Sequence, residues 1–222
     1  MNWMKKVAVA LVCLLPLGLQ AAKVDTLQVK SPSMNKSIEV VVVSPDVAAT
    51  KACPVIYLLH GYGGNARTWV GIKPDLPKIA DEKGIFFVCP DGKNTWYWDS
   101  PLNADVRYET FISNELVKYV DSHYKTVADR KGRAITGLSM GGHGAMWNGL
   151  RHSDVFSAAG STSGGVDIRP FPKNWEMSVQ IGEKAKYPEN WEKYTVINLV
   201  PTLRKDQIAL IFDCGDSDFF LE

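Results

Sequence analysis

Short apolar runs alternate with helix-like stretches along most of this chain, and that alternation restricts the possible folds more than any other feature. The apolar runs lie at residues 55–59, 85–89, 133–136, 156–160 and 207–212. The helix-like stretches lie at residues 77–83 and 109–123 and directly after Ser139. Continuous apolar runs are typical of parallel strands buried on both faces. Strands and helices in this order predict an α/β fold, in which helices cover both faces of a mostly parallel sheet.

The segments outside this alternation are the start of the chain and a late stretch. Residues 26–30 and 37–43 are β-rich and predict an opening hairpin or pair of strands. Residues 166–203 hold several prolines and tryptophans in no regular period, so we expect an excursion over the sheet near the site. The run at 207–212 is expected to be another buried strand.

Length and charge exclude some classes of protein. A chain of 222 residues with 45% hydrophobic content suits one substantial domain. The 25 Lys and Arg residues balance 24 Asp and Glu residues, without blocks of like charge, so a nucleic acid partner is not expected. The oligomeric state is left open. Three cysteines follow the first 22 residues, an odd number that cannot all pair in one chain, and we predict buried thiols at Cys53, Cys89 and Cys214.

The first 22 residues have the layout of a signal peptide. Lys5 and Lys6 precede an apolar run at residues 7–17, and small residues follow before Lys23. The run is well short of the ~20 residues that span a bilayer, so stable membrane insertion is not expected. We therefore predict a periplasmic or secreted protein with residues 23–222 as its domain.

The segment Gly137-Leu138-Ser139-Met140-Gly141 has the G-x-S-x-G pattern of a nucleophile elbow. A serine hydroxyl becomes a useful nucleophile when it is held exposed beside a base and oxyanion donors. The flanking glycines let a strand turn sharply into a helix and project the serine. A strand-like run precedes this motif and a helix-like stretch follows it, so Ser139 is the predicted nucleophile rather than part of a plain glycine-rich turn.

Oxyanion stabilisation needs two converging backbone N–H groups. The residue after the nucleophile, Met140, supplies one. Residues 60–64, His-Gly-Tyr-Gly-Gly, follow an apolar run, and their glycines allow close approach of the backbone to a substrate. We predict Tyr62 as the second donor; the alternative is a flexible loop without a ligand.

The acid that would orient a catalytic histidine is expected after a later strand, in the order Ser, Asp, His. Three carboxylates follow the run at 207–212, and they belong to Asp213, Asp216 and Asp218. Spacing alone does not choose among them.

Taken together, these residues resemble the esterase family that includes S-formylglutathione hydrolases, tributyrin-type and feruloyl esterases and mycolyl transferases. The resemblance covers nearly all of the chain after the signal segment. Its residues are 60–64, 90–92, 96–97, 137–145, 151–152, 163–164 and 213–215. It implies an α/β-hydrolase fold, Asp218 as the acid, and a position near the substrate pocket for the loop with Trp96, Tyr97 and Trp98. For that loop, an aromatic packing cluster is the equal alternative.

The resemblance also implies a catalytic histidine on a loop well beyond the acid, and the sequence has none there. Its four histidines, His60, His123, His143 and His152, all precede the acid, and each suits a structural or surface position better than a catalytic one. The expectation is therefore a fragment in which the last strand and helix are absent, with an interrupted gene or a natural pseudoenzyme as alternatives. Such a form is expected to show exposed apolar surface, poor solubility and little activity.

The expected function is hydrolysis of a carboxylic ester through an acyl-enzyme on Ser139, with no metal or organic cofactor. For an exported enzyme, we expect short-chain esters or acetyl and feruloyl groups on plant polysaccharides as substrates. The alternative enzymatic reaction is acyl transfer to a sugar acceptor. The alternative that involves no catalysis is a carbohydrate-binding or structural protein that keeps the fold, because fold alone does not determine function.

Overall fold

The computed structural model of the chain describes residues 22–221. The predicted signal segment, residues 1–22, lies outside this range apart from Ala22. Between residues 22 and 221, no helix combines the length and the apolar character that crossing a membrane would require.

The described residues form a seven-stranded sheet with the order β1-β2-β4-β3-β5-β6-β7. The strands are β1 (Lys23–Ser31), β2 (Lys36–Ser44), β3 (Val55–Leu59), β4 (Phe86–Pro90), β5 (Arg133–Gly137), β6 (Ala158–Thr162) and β7 (Ala209–Asp213). β2 pairs antiparallel with β1 and β4, whereas all other neighbours pair parallel. The predicted opening pair of strands and mostly parallel sheet are confirmed.

Helices fill most of the connections. They are α1 (Thr68–Ile72), α2 (Leu76–Lys83), α3 (Tyr108–Thr110), α4 (Val117–His123), α5 (Met140–Arg151), α6 (Met177–Ile181) and α7 (Pro188–Lys193). A π-helical turn, Phe111–Leu116, joins α3 to α4, and a 3-10 segment, Val196–Thr202, follows α7. The predicted excursion between residues 166 and 203 is thus a set of short helices.

Local sequence explains the boundaries of α2. Pro77 stands in its first turn, where a missing N–H costs nothing because that group has no helical partner. Gly84 ends the helix with φ 64°, a left-handed conformation that glycine adopts without strain.

Apolar cores lie on both faces of the sheet. In β2, Val40 and Val42 belong to the larger core, whereas Val41 and Val43 belong to the smaller one. α5 contributes to the larger core and α2 to the smaller one. The predicted covering of both faces is confirmed.

Two predictions at the end of the chain were wrong. All five residues of β7 are exposed rather than buried, with Ile211 at 77% and Phe212 at 74%. β7 is an edge strand of the described sheet, with only β6 beside it, and its side chains, which point to the two faces of the sheet, belong to neither apolar core. Cys214, which follows it, is also exposed, whereas Cys53 and Cys89 are buried as predicted.

Candidate active site

Ser139 stands at the junction of β5 and α5 in a conformation that non-glycine residues rarely adopt. Its φ is 55° and its ψ is −117°. Its backbone N–H donates to the Thr162 carbonyl at 2.9 Å, which fixes the turn against the end of β6. The Ser139 hydroxyl makes no hydrogen bond to any residue between 22 and 221, and the residue is partly exposed. This is the geometry of a nucleophile elbow.

The glycines of the motif are required by close backbone packing. A β-carbon on Gly137 would lie 2.3 Å from the carbonyl carbon of Gly141. A β-carbon on Gly141 would lie 2.2 Å from the Leu59 carbonyl oxygen. Any side chain at either position would therefore displace the turn that presents the serine.

The loop after β3 reaches the predicted nucleophile. A β-carbon on Gly61 would lie only 3.5 Å from the β-carbon of Ser139. The backbone N–H groups of Tyr62 and Met140 donate to no other residue of the described range. Met140 also opens α5, whose N-terminal dipole favours negative charge. Two unpaired donors beside a serine can stabilise a tetrahedral oxyanion.

His60 and Asn94 hold this loop in place. The His60 Nδ1 lies 2.7 Å from the Gly61 carbonyl oxygen, and the Gly92 N–H donates to Nε2 at 2.9 Å. The Gly63 N–H donates to the Asn94 side-chain oxygen at 2.9 Å. Both ring nitrogens of His60 are therefore occupied, which leaves it a structural role.

His143 is buried in α5 and cannot act as the base for Ser139. Trp98 Nε1 donates to its Nε2 at 2.9 Å, and its Nδ1 lies 2.7 Å from the Gly165 carbonyl oxygen. Burial lowers its pKa to about 4, with the Gly165 carbonyl as the opposing influence. The ring is neutral and fully hydrogen-bonded.

The other two histidines are also engaged. His123 Nδ1 lies 2.8 Å from the Tyr119 carbonyl oxygen, and its ring stacks on Tyr119. His152 Nε2 lies 2.8 Å from the Glu109 carboxylate. None of the four histidines hydrogen-bonds to the Ser139 hydroxyl, as the sequence order predicts.

The three candidate acids lie at and beyond the carboxyl end of β7. Asp218 is half-buried; its N–H donates to the Gly215 carbonyl at 3.1 Å, and its Oδ1 accepts from the Phe220 N–H at 2.8 Å. Asp213 and Asp216 are exposed. Asp218 has no hydrogen bond to the nucleophile, and a triad requires none because histidine lies between acid and serine. Its role as the acid stays a prediction.

The aromatic loop after β4 lies inside the protein. Trp96 and Trp98 are 1% and 0% exposed and stack with centroids 5.6 Å apart. Trp96 Nε1 donates to the Trp175 carbonyl at 3.1 Å, and Trp98 Nε1 donates to His143. Trp96 and Tyr97 have positive φ values of 58° and 60°. Both indoles therefore have a packing role in the structure. Contact of Trp96 and Trp98 with substrate stays a prediction, and their burial argues against it.

Within the described range, no group of three or more His, Cys, Asp or Glu side chains is arranged to hold a metal ion.

Comparison with known proteins identifies the family. Residues 31–222 match the family model described as Putative esterase. The chain belongs to this family.

Curated relatives of this Putative esterase chain are longer proteins. An acetyl esterase of Caldicellulosiruptor saccharolyticus is 32% identical over 102 residues, which cover 46% of this chain and 37% of that protein. An esterase of Mycobacterium tuberculosis is 30% identical over 149 residues, which cover 64% of this chain and 32% of that protein. The chain therefore spans about a third of the length of these relatives.

Solved structures share its architecture. A ferulic acid esterase aligns with a TM-score of 0.72 at 30% identity, covering 91% of this chain and 82% of that one. An S-formylglutathione hydrolase from Agrobacterium tumefaciens aligns with a TM-score of 0.74 at 23% identity, covering 91% and 78%. These likenesses confirm the predicted α/β-hydrolase fold for this member of the Putative esterase family.

The sequence did not predict that Asn94 and Glu176 brace the loop after β3. Asn94 accepts from Gly63, and its amide nitrogen donates to the Glu176 carboxylate at 3.2 Å. Trp175, just before Glu176, accepts from Trp96. The one signal for Asn94 in the sequence is its position two residues after segment 90–92, which is part of the family resemblance.

Proposed function

We propose that this chain is an exported serine carboxylesterase that hydrolyses short-chain or plant-polysaccharide esters of the acetyl or feruloyl type. The observation that carries the proposal is the strained backbone of Ser139 at a strand–helix junction, beside the N–H groups of Tyr62 and Met140, which donate to no residue between 22 and 221. Membership of the Putative esterase family supports it. The acetyl and ferulic acid esterases among its relatives support the choice of acyl group.

The proposed reaction passes through an acyl-enzyme. The Ser139 hydroxyl oxygen bonds to the ester carbonyl carbon while a general base takes its proton. The Tyr62 and Met140 N–H groups donate to the resulting oxyanion. The bond to the alcohol oxygen breaks, and the proton passes to that oxygen. Water then attacks the acyl carbon, and breakage of its bond to the Ser139 oxygen releases the acid and restores the serine.

We propose that none of the four histidines in this sequence serves as the general base for Ser139, and that Asp218 is the acid of the triad. The rings of His60 and His143 are buried and occupied at both nitrogens. His123 and His152 are engaged with Tyr119 and Glu109. The 222-residue chain is therefore expected to acylate slowly, because loss of a triad histidine costs on the order of 10⁶ in kcat in a well-studied serine protease.

Hydrolysis of p-nitrophenyl acetate by the purified chain, with and without free imidazole, tests this proposal. Imidazole itself cleaves this ester, so its rate in protein-free buffer is subtracted. We expect slow hydrolysis that imidazole accelerates beyond that rate, and one acetyl group on Ser139 by peptide mass spectrometry. Ser139→Ala should abolish both the protein-dependent hydrolysis and the acetylation. A Ser122→Ala variant, which alters an exposed serine on α4, is the matched control and should behave like the parent.

Two results would contradict separate parts of the proposal. Hydrolysis that survives Ser139→Ala would place the nucleophile elsewhere. Fast, imidazole-independent hydrolysis that Ser139→Ala abolishes would keep the serine but refute the exclusion of the four histidines.

Export is a further part of the proposal and has its own test. It rests on the layout of residues 1–22, with basic, apolar and small residues in order. N-terminal mass analysis of protein recovered from the periplasm or medium should give a chain that begins near Lys23. Recovery of intact Met1 only from the cytosol would contradict export.

A further inference from the structure

A row of side chains runs along the rim of the candidate site. It consists of Tyr62, Glu176, Trp175 and Phe219, and we call it the rim shelf. Tyr62 and Phe219 are 38% and 58% exposed, Glu176 is exposed and Trp175 is half-buried. The Trp175 and Phe219 rings stack nearly parallel, with centroids 5.5 Å apart and an interplanar angle of 22°. Exposed rings beside a carboxylate form a surface that is apolar on one side and hydrogen-bonding on the other.

One end of the rim shelf is tied to the proposed oxyanion loop. Tyr62 is itself part of that loop and follows Gly61, which approaches the nucleophile. Asn94 bridges the Gly63 N–H and the Glu176 carboxylate, with distances of 2.9 and 3.2 Å. Partial burial and the neighbouring Glu176 carboxylate raise the pKa of Tyr62, in keeping with their closeness. A ligand on Glu176 would therefore lie next to the oxyanion loop.

The other end of the rim shelf adjoins the proposed acid. Phe219 follows Asp218 directly, and Phe220 packs against Phe171 and Trp175 with ring centroids 5.3 and 5.4 Å away. The rim shelf thus spans the distance between the two loops that hold Asp218 and Tyr62. Both belong to the same candidate site.

The backbone at the centre of the rim shelf is strained. Trp175 and Glu176 are consecutive non-glycine residues with φ values of 47° and 54°. The Trp96 indole N–H fixes the Trp175 carbonyl, and Asn94 fixes the Glu176 carboxylate. Strain of this kind persists only when surrounding contacts hold it, and it is concentrated at ligand-binding sites. Here it turns an aromatic ring and a carboxylate toward the same rim.

We propose that the rim shelf binds a sugar ring in the alcohol part of the ester substrate; this inference rests on the proposed function. The C–H face of a pyranose packs on the exposed ring of Phe219, which the stacked Trp175 ring supports from behind. Its hydroxyls donate to Glu176 and exchange hydrogen bonds with the Tyr62 hydroxyl. The carboxylates of Glu176 and Asp218 suit a neutral polyol and disfavour an anionic ligand. The shelf would hold the alcohol side while the ester carbonyl faces Ser139.

Isothermal titration with xylobiose tests the rim shelf without any need for turnover. We expect Trp175→Ala to weaken the Kd about tenfold, equivalent to ~1.4 kcal/mol. Trp175→Phe should recover most of the affinity because it keeps a ring. Glu176→Gln should weaken binding several-fold, whereas Glu183→Gln, an exposed residue of the same excursion, is the control and should not. Circular dichroism melting establishes that each variant is folded.

The outcomes separate this inference from the proposed function. Xylobiose binding that Ser139→Ala leaves intact and Trp175→Ala weakens supports the rim shelf, even if no ester is hydrolysed. Absence of xylobiose binding, or equal binding by folded Trp175→Ala, overturns it even if Ser139-dependent hydrolysis is found. Binding of methyl ferulate alone, weakened by Trp175→Ala, would assign the shelf to the acyl group and also overturn the sugar assignment.

Discussion

Ser139 depends on its glycine neighbours, because the elbow has no space for further side chains. In Gly141→Ala the new β-carbon would lie 2.2 Å from the Leu59 carbonyl oxygen, so β3 or the elbow must shift. Overpacking of this kind costs about 1–3 kcal/mol, and we expect at least that loss in the free energy of unfolding. Urea unfolding monitored by circular dichroism measures it.

The matched control for this prediction is Gly71→Ala in α1. Apart from its chain neighbours and the backbone of its own helix, no atom of the described residues lies within 4 Å of a β-carbon built there. Alanine in a helix gains roughly 0.5–1 kcal/mol over glycine, so this variant should be as stable as the parent or more stable. Equal stability of Gly141→Ala and the parent would contradict the steric requirement of the elbow.

His143 gives the protein a defined dependence on pH. Burial lowers its pKa from 6.5 to about 4. As pH falls below 6.5 the unfolded chain binds a proton that the folded chain does not, so the free energy of unfolding falls. This contribution is fully present above pH 6.5 and is lost between pH 6.5 and 4, with a slope of at most about 1.4 kcal/mol per pH unit.

Urea unfolding of the parent and of His143→Gln across pH 4–7.5 measures that contribution. Glutamine can accept from the Trp98 indole and donate to the Gly165 carbonyl but does not titrate in this range. The difference between the two stability profiles should therefore change between pH 6.5 and 4 and be flat above. Parallel profiles throughout would show that His143 is not the group responsible.

Among the elements, those with local signals were predicted best. The apolar run at 55–59 coincides with β3, and α2 starts one residue before the predicted 77–83. β6 starts two residues later than predicted. Phe156 is buried but precedes the strand, and an apolar side chain alone does not tell a buried strand residue from a buried residue before the strand. The exposure of β7 was not predictable, since an apolar run does not specify a central or an edge position.

Glu109 ties α3 to α5 through a buried carboxylate. It accepts hydrogen bonds from Trp147 Nε1 at 2.8 Å and Arg151 Nε at 2.7 Å, and it contacts His152 Nε2 at 2.8 Å. Burial alone would raise the pKa of Glu109, yet hydrogen bonds from His152, Arg151 and Trp147 hold it below its ordinary value. The charged form is therefore the one that the fold stabilises.

We expect Glu109→Gln to lower the free energy of unfolding by about 1–3 kcal/mol, because an amide nitrogen replaces one acceptor oxygen in a buried site. Thermal and urea unfolding at pH 7 measure the change. Glu82→Gln, at an exposed ion pair with Lys78 on α2, is the control and should change stability by less than about 0.5 kcal/mol. A similar small effect for both would mean that the Glu109 network adds nothing to the packing of α3 on α5.

At the scale of the whole molecule, the candidate site joins residues that are distant in sequence. The elbow was predictable because its glycine requirement is local, whereas Asn94 and Glu176 are 82 residues apart and meet only in the fold. Likewise, the packing of Trp98 on His143 spans 45 residues. Motifs therefore located Ser139 and its neighbours, but not the residues that brace the loops around them.

The uncovered edge of the sheet determines how the molecule should behave in solution. Among residues 22–221, the backbone of β7 has a partner strand on one side only, and its residues Ile211 and Phe212 are exposed. Such edges are templates for association between chains. We expect self-association that increases with protein concentration in sedimentation velocity experiments. Ile211→Lys should reduce it by placing a charge on the edge. Val179→Lys, at an exposed position of α6, adds the same charge away from the sheet and should not. If both lysine variants sediment like the parent, the edge is not the surface through which chains associate.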